Sequence, residues 1–168
     1  DLGNIQLATT YQETVKMLEY VFKMMNGRYD ILKNLKITSI EQKPKLFTKI
    51  IVILDEIGDL ILSDKSKDLQ NFLIRLAQKA RAAGIYLVMA TQRPSVNIIS
   101  GLIKANFPAR ICCKVSSRTD SMVVLDQPGG ESLLGKGDAL VRSPKYGMSR
   151  LQIAFSDSFH NMLSVKDI

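Results

Sequence analysis

Ile50-Ile51-Val52-Ile53-Leu54 runs directly into Asp55-Glu56, and that junction limits the possible folds more than any other part of the chain. A half-exposed strand alternates apolar and polar residues. An unbroken aliphatic run rich in β-branched residues instead predicts a short strand covered on both faces. The run is the longest aliphatic stretch in the sequence, and it falls far short of the ~20 apolar residues that cross a bilayer.

Helical patterns surround it. Val15, Leu18, Val21, Phe22, Met25, Tyr29 and Leu32 recur at helical spacing over residues 11–35, and Thr10 with Glu13 forms a capping box at the start. Residues 36–49 are polar, contain Pro44 and read as a loop. Leu69, Phe72, Leu73, Leu76, Ala77 and Ala80 form the apolar stripe of a second helix over residues 68–83, stopped by Gly84. Further strands are predicted at Ile85–Thr91, Ala109–Val115, Ala139–Arg142 and Ser149–Ala154, the last two joined as a hairpin through Pro144–Gly147. Short helices are expected near Ile98–Lys104, over Arg118–Leu125 behind Ser117, and after Ser156 or Asp157. Buried strands alternating with helices predict an α/β fold: a mainly parallel sheet flanked by helices, with an antiparallel edge hairpin. The expected organisation is one domain over residues 1–168, with a leading helix and linker (1–49), a core (50–155) and a C-terminal helix (156–168).

Composition excludes several classes. With 46% hydrophobic and 23% charged residues the chain is globular rather than disordered. No basic-then-apolar leader opens it, so no secretory signal is expected. Cys112 and Cys113 are adjacent and have no second pair, so neither a disulfide framework nor a zinc site is expected, and both read as buried structural thiols in a reducing cytoplasm. His160 is the only histidine, which leaves no histidine cluster for a metal and no catalytic triad. The net charge is +7, and residues 101–150 hold eight basic against four acidic side chains. Such a surplus suits an anionic partner.

The chemistry concentrates at strand ends. Asp55 and Glu56 close the Ile50–Leu54 strand, where open α/β sheets bind ligands. Two adjacent carboxylates there call for a compensating cation or proton. In phosphate-processing folds the first acid of such a pair belongs to the magnesium shell, and its neighbour takes a proton from water. This is the Walker B pattern. Its usual companion is a glycine-rich phosphate loop, and the nearest match, Gly130-Glu131-Ser132-Leu133-Leu134-Gly135-Lys136-Gly137, fails. Gly137 stands where a hydroxyl is required, and a strand follows where a helix N-terminus is needed. Ala90-Thr91-Gln92-Arg93-Pro94 is a second polar cluster at a strand end. If the two strands are neighbours, Thr91 and Gln92 lie beside the carboxylates.

The run from Arg75 through Gly84-Ile85 into Ala90-Thr91-Gln92-Arg93-Pro94-Ser95-Val96 resembles the FtsK/SpoIIIE family of DNA translocases. So do Gly101-Leu102-Ile103-Lys104-Ala105-Asn106, Val115-Ser116-Ser117, Asp120-Ser121, Leu125-Asp126-Gln127, Glu131-Ser132-Leu133-Leu134-Gly135 and Gly137-Asp138. The resemblance spans about residues 50–155. It implies a RecA-like P-loop ATPase core that assembles as a hexameric ring around double-stranded DNA and is driven by ATP with Mg2+. Asp55 then matches the magnesium-associated acid and Glu56 the catalytic carboxylate. Gln92 matches the polar sensor, Thr91 lies with it at the nucleotide, and Arg110 fits an arginine reaching a neighbour's ATP, with Arg81 and Arg93 as competitors.

The sequence departs from the family at Met122, where arginine is usual, and at Gly58, where alanine is common. The family's Walker A segment is expected upstream of Asp1, so this chain alone is expected to be inactive while its parent is an ATPase. Lys104, Arg118 and Lys136 are the candidate DNA phosphate contacts, with Lys65 and Lys67 as alternatives. The resemblance places the parent in the cytoplasm, at the inner face of the membrane through an N-terminal anchor. The rival readings are a related ring ATPase that energises protein secretion, and a non-catalytic interaction fragment.

Overall fold

The computed structural model describes residues 5–64 and 68–155. They fall into two compact units, one spanning Thr10–Pro108 and the other built from Ala109 onward together with the residues up to Thr9.

The Thr10–Pro108 unit opens with helix α1, Tyr11–Asn34. Its capping box is as expected: Glu13 N donates to Thr10 Oγ1 at 3.2 Å, and Thr10 N donates to Glu13 Oε2 at 3.1 Å. Leu18, Val21, Met25 and Leu32 form the buried stripe. Arg28 is buried with them. Its Nη1 donates to Ala83 O and its Nη2 to Thr48 O, both at 2.8 Å, while the guanidinium lies 4.9 Å from the Phe47 ring centroid. Arg28 thereby ties α1 to the segments that enter both strands of the unit.

Strand β1, Ile50–Leu54, pairs in parallel with β2, Ile85–Met89, from Ile50↔Ile85 to Leu54↔Met89. Between them lie α2 (Ile57–Ser63), α3 (Asp68–Ala80) and a 3-10 turn that ends at Gly84. Gly84 has φ 75°, the left-handed stop expected there, and a Cβ would sit 2.8 Å from Ile40 Cδ1. Helix α4, Gly101–Asn106, follows β2, capped by Ser100. The core joins Leu18, Val21 and Met25 of α1, Leu69, Leu73 and Leu76 of α3, and Val52 and Leu54 of β1.

The expectation that β1 is covered on both faces is corrected. Val52 and Leu54 are buried, but Ile51 and Ile53 on the opposite face are 66% and 68% exposed. Among the described residues the helices pack on one face of the β1–β2 pair. Helix α2 was not foreseen, because residues 57–63 follow the strand with no capping side chain at Glu56.

The second unit contains β3 (Arg110–Cys112), α5 (Arg118–Leu125), β4 (Asp138–Ser143) and β5 (Gly147–Gln152). Its sheet is antiparallel in the order β3-β4-β5. Arg110 faces Arg142 across the β3–β4 ladder, and the β4–β5 hairpin closes at Ser143↔Gly147. The α/β class holds, but β3 belongs to an antiparallel sheet instead of extending the parallel one. The loop over residues 126–137 carries the chain from α5 to the opposite end of the sheet before β4 begins. Cys112 is buried as expected, whereas Cys113 is exposed. Adjacent strand residues point to opposite faces, so only one of the two reaches the core. No described helix is long and apolar enough to cross a membrane. The helix expected after Ser156, together with His160, Lys65 and Lys67, lies outside the described residues.

Candidate functional site

The two parallel strands deliver their polar ends side by side. The ladder continues past β1 and β2, with Ala90 N donating to Leu54 O and Ile57 N donating to Ala90 O, both at 2.9 Å. Asp55-Glu56 therefore lies against Ala90-Thr91-Gln92, the neighbourhood that the sequence made conditional on strand pairing.

Glu56 takes the left-handed conformation, φ 45° and ψ 61°. For a residue other than glycine this costs of order 1–3 kcal/mol and persists only where its surroundings impose it. Two hydrogen bonds hold the side chain. Thr91 Oγ1 donates to Oε1 at 2.7 Å, and Gln92 N donates to Oε2 at 2.7 Å. The Thr91 hydroxyl, followed by the Gln92 amide, keeps the Glu56 carboxyl below the usual carboxylate range. Glu56 is therefore ionised at neutral pH.

Asp55 is exposed, and its Oδ1 accepts from Glu56 N at 3.1 Å. Among the described residues no group of three or more His, Cys, Asp or Glu could hold a metal ion. Magnesium retains most of its waters and takes one or two carboxylates together with substrate phosphates. A single exposed carboxylate at a strand end fits that ion. Gln92 uses its backbone N–H on Glu56 and its side chain is exposed at the same strand end. Thr91, grouped by the sequence with the nucleotide, has its hydroxyl committed to Glu56.

The rejected phosphate-loop match is not a phosphate loop in the structure. Gly130–Ser132 is a 3-10 turn, and Gly135, Lys136 and Gly137 all have positive φ before β4 begins. No helix N-terminus follows to receive a phosphate.

Arg110 lies in the other unit and is not displayed at a bare edge. Its side chain is 13% exposed, and Nη1 donates to Val124 O and Asp126 Oδ2, each at 2.9 Å. Its Nε is buried without a partner. Arg142, opposite it in the ladder, donates from Nη1 to Leu125 O and to the same Asp126 Oδ2, both at 2.8 Å. Asp126, left-handed at the end of α5, thus receives both arginines. The competitor Arg81 is an exposed residue paired with Glu41 at 3.2 Å, while Arg93 is exposed and its backbone N–H donates to Thr91 Oγ1 at 3.1 Å.

The three DNA candidates do not share a unit. Lys104 is on α4, whereas Arg118 opens α5 and Lys136 occupies the loop before β4. Lys136 is exposed at φ 50°. Asp138 braces that loop: Oδ2 accepts from Leu134 N and from Arg150 Nη2, both at 2.7 Å, and Oδ1 accepts from Arg150 Nε at 2.9 Å. The Arg150 hydrogen bonds, then the Leu134 amide, hold the Asp138 pKa at about 2. An unfolded aspartate titrates near ~3.9. A depressed acid contributes stability that is complete above its unfolded pKa and is lost as pH falls toward the folded value. Thermal melts from about pH 5 to about pH 2 are therefore expected to show a drop in Tm that is shallower in Asp138→Asn. Parallel curves would remove this role.

Sequence reasoning found Asp55, Glu56, Thr91, Gln92 and Arg110 but missed Asp126, Arg142 and the Asp138–Arg150 brace. Their partners are distant in sequence and leave no periodic signal. Gly58 did leave one, as a departure from the family pattern: a Cβ there would stand 2.8 Å from Glu56 Oε1 and 3.3 Å from Thr91 Oγ1.

Residues 42–96 match the model of the FtsK/SpoIIIE family. The chain is 43% identical over 152 residues to a DNA translocase FtsK of Streptococcus pyogenes serotype M6, covering 82% of this chain and 19% of that protein. It is 41% identical over 165 residues to a DNA translocase FtsK of Chlamydia pneumoniae, covering 88% and 20% respectively. The chain thus spans about a fifth of the length of these curated relatives. Among solved structures, the pCW3 conjugation coupling protein TcpA, in a monomer form with ATPγS, superposes with a TM-score of 0.78 at 25% identity, over 88% of this chain and 45% of that one. The cytoplasmic domain of the Thermomonospora curvata Type VII secretion ATPase EccC gives 0.74 at 19% identity, over 84% and 18%, a likeness of fold alone. The RecA-like core expected from the sequence stands, and the strand-end carboxylates, the Ala-Thr-Gln-Arg-Pro segment and the matches to known proteins place the chain in the FtsK/SpoIIIE family.

Proposed function

We propose that this chain is part of the motor core of an ATP-driven translocase that pumps double-stranded DNA as a hexameric ring of identical subunits. The observation that carries this reading is the pairing of two strand ends, which sets Asp55 and Glu56 against Thr91 and Gln92. Glu56 accepts the proton of the attacking water, for which an ionised carboxylate is required. The Gln92 side chain senses the terminal phosphate, and Asp55 belongs to the magnesium shell. Bound magnesium neutralises charge on the ATP phosphates. Arg110 serves the ATP of a neighbouring subunit. Lys104, Arg118 and Lys136 contact DNA phosphates, as a sequence-independent grip requires.

The Walker A loop comes from polypeptide outside this chain, and the parent is held at the cytoplasmic face of the inner membrane. The uncovered face of the β1–β2 pair supports this reading, since parallel sheets are ordinarily buried on both sides. Secretion ATPases share the fold at 19% identity, which carries no argument for their activity here.

The test is ATP hydrolysis by the parent with and without duplex DNA, beside the same assay on this chain alone. Duplex DNA is expected to stimulate the parent, and this chain is expected to release no phosphate. A parent ATPase indifferent to duplex DNA would refute the reading, and steady hydrolysis by this chain that Lys136→Ala abolishes would restore the rejected loop.

A further inference from the structure

Glu56 has a side chain with several free torsions, yet a proton acceptor must be held in one place to act on one water. The structure contains a device that does this, and it is centred on Thr91. The Thr91 hydroxyl accepts from Arg93 N–H at 3.1 Å and donates to Glu56 Oε1 at 2.7 Å. An ionised carboxylate offers no proton, so the Arg93 amide fills the acceptor side of the hydroxyl and the hydroxyl proton is left for Glu56. Threonine is β-branched and stiff at χ1, which sets the hydroxyl firmly at the end of β2.

The second carboxylate oxygen rests on Gln92 N–H at 2.7 Å. Gly58, at the start of α2, leaves the room this pose needs: a Cβ there would lie 2.8 Å from Glu56 Oε1, 3.3 Å from Thr91 Oγ1 and 3.0 Å from Ile98 Cδ1. Gly58 lies outside the positive-φ region, so the space and not the backbone is what its lack of a side chain provides.

We propose that Thr91 is the positioning residue of Glu56, and that Gly58 keeps open the space in which the Thr91–Glu56 hydrogen bond forms. Thr91 acts through Glu56 and need not touch nucleotide. The inference rests on the reading of Glu56 as the proton acceptor.

In the ATPase-competent parent, Thr91→Val removes the donor while preserving the shape of the side chain. It is expected to lower kcat by about tenfold or more and to leave KM for ATP within about twofold. Thr91→Ser restores the donor and is expected to recover most of the loss. Gly58→Ala is expected to reproduce the Thr91→Val effect, because the end of the Glu56 side chain is what yields to the added methyl.

A second readout needs no nucleotide. Amide hydrogen exchange of the peptide covering residues 89–96 is expected to rise in Thr91→Val and Glu56→Gln and to stay at the wild-type rate in Thr91→Ser. A threonine with a structural role alone would lower Tm and leave kcat per folded subunit unchanged. Wild-type kcat in both Thr91→Val and Gly58→Ala, with Glu56→Gln inactive, overturns the positioning role and leaves the proposed function standing. An active Glu56→Gln overturns both.

Discussion

Glu56→Gln in the parent is expected to bind ATP and assemble normally while losing turnover by about 10²–10⁴-fold, the range that general-base catalysis contributes. The amide is nearly the same size and can still accept from the Thr91 hydroxyl and the Gln92 amide, so the β1–β2 junction should survive. What it lacks is the capacity to take a proton from water. The carboxylate is held ionised by Thr91 first and Gln92 second, so the wild-type group is already in the accepting form at neutral pH. The decisive measurement is single-turnover hydrolysis beside nucleotide binding. A wild-type rate with intact binding would mean that Glu56 is not the acceptor and that its left-handed pose is purely structural.

Arg110→Ala is expected to cost the ring about 10³–10⁵ in turnover, as the loss of a trans-acting arginine does in other phosphoryl-transfer systems. The structure alters how that arginine would work. Nη1 is committed to Val124 O and Asp126, and Nε is buried, so Nη2 is the group left to meet a neighbour's phosphate. The guanidinium is therefore fixed before the subunits meet. Arg110→Lys should fail to rescue, because an ammonium cannot hold Asp126 and present a second amino group together.

Because the site is shared, a ring mixed from Arg110→Ala and Glu56→Gln subunits is expected to recover ATPase that neither variant shows alone. Interfaces that pair an intact Glu56 with an intact Arg110 would supply it. Full ATPase in Arg110→Ala would exclude it, and Arg93 would be the next candidate, since Arg81 is already paired with Glu41 across an exposed surface.

What the sequence determined was local. The Thr10–Glu13 capping box, the stripe of α1, the Gly84 stop, the β4–β5 hairpin and the aliphatic β1 run are set by neighbours within a few residues, and each forms near its expected place. The carboxylate pair and the Thr91-Gln92 cluster were legible for the same reason, as polar residues placed where apolar runs end.

Tertiary structure decided which distant groups meet. Glu56 and Thr91 are 35 residues apart, Arg110 and Asp126 are 16 apart, and Arg28 reaches Ala83 across 55. No periodicity encodes such pairs, because each depends on strand register and on which buried polar groups remain to be satisfied. Register also explains the two corrections to the sheets. An aliphatic run reads the same whether one face or both are covered, and a strand's partner depends on the path of the loop that follows it. Gly58 shows the division in one residue: the sequence marks it as a departure, and only the fold shows that the missing methyl would occupy the place of the Glu56 carboxylate.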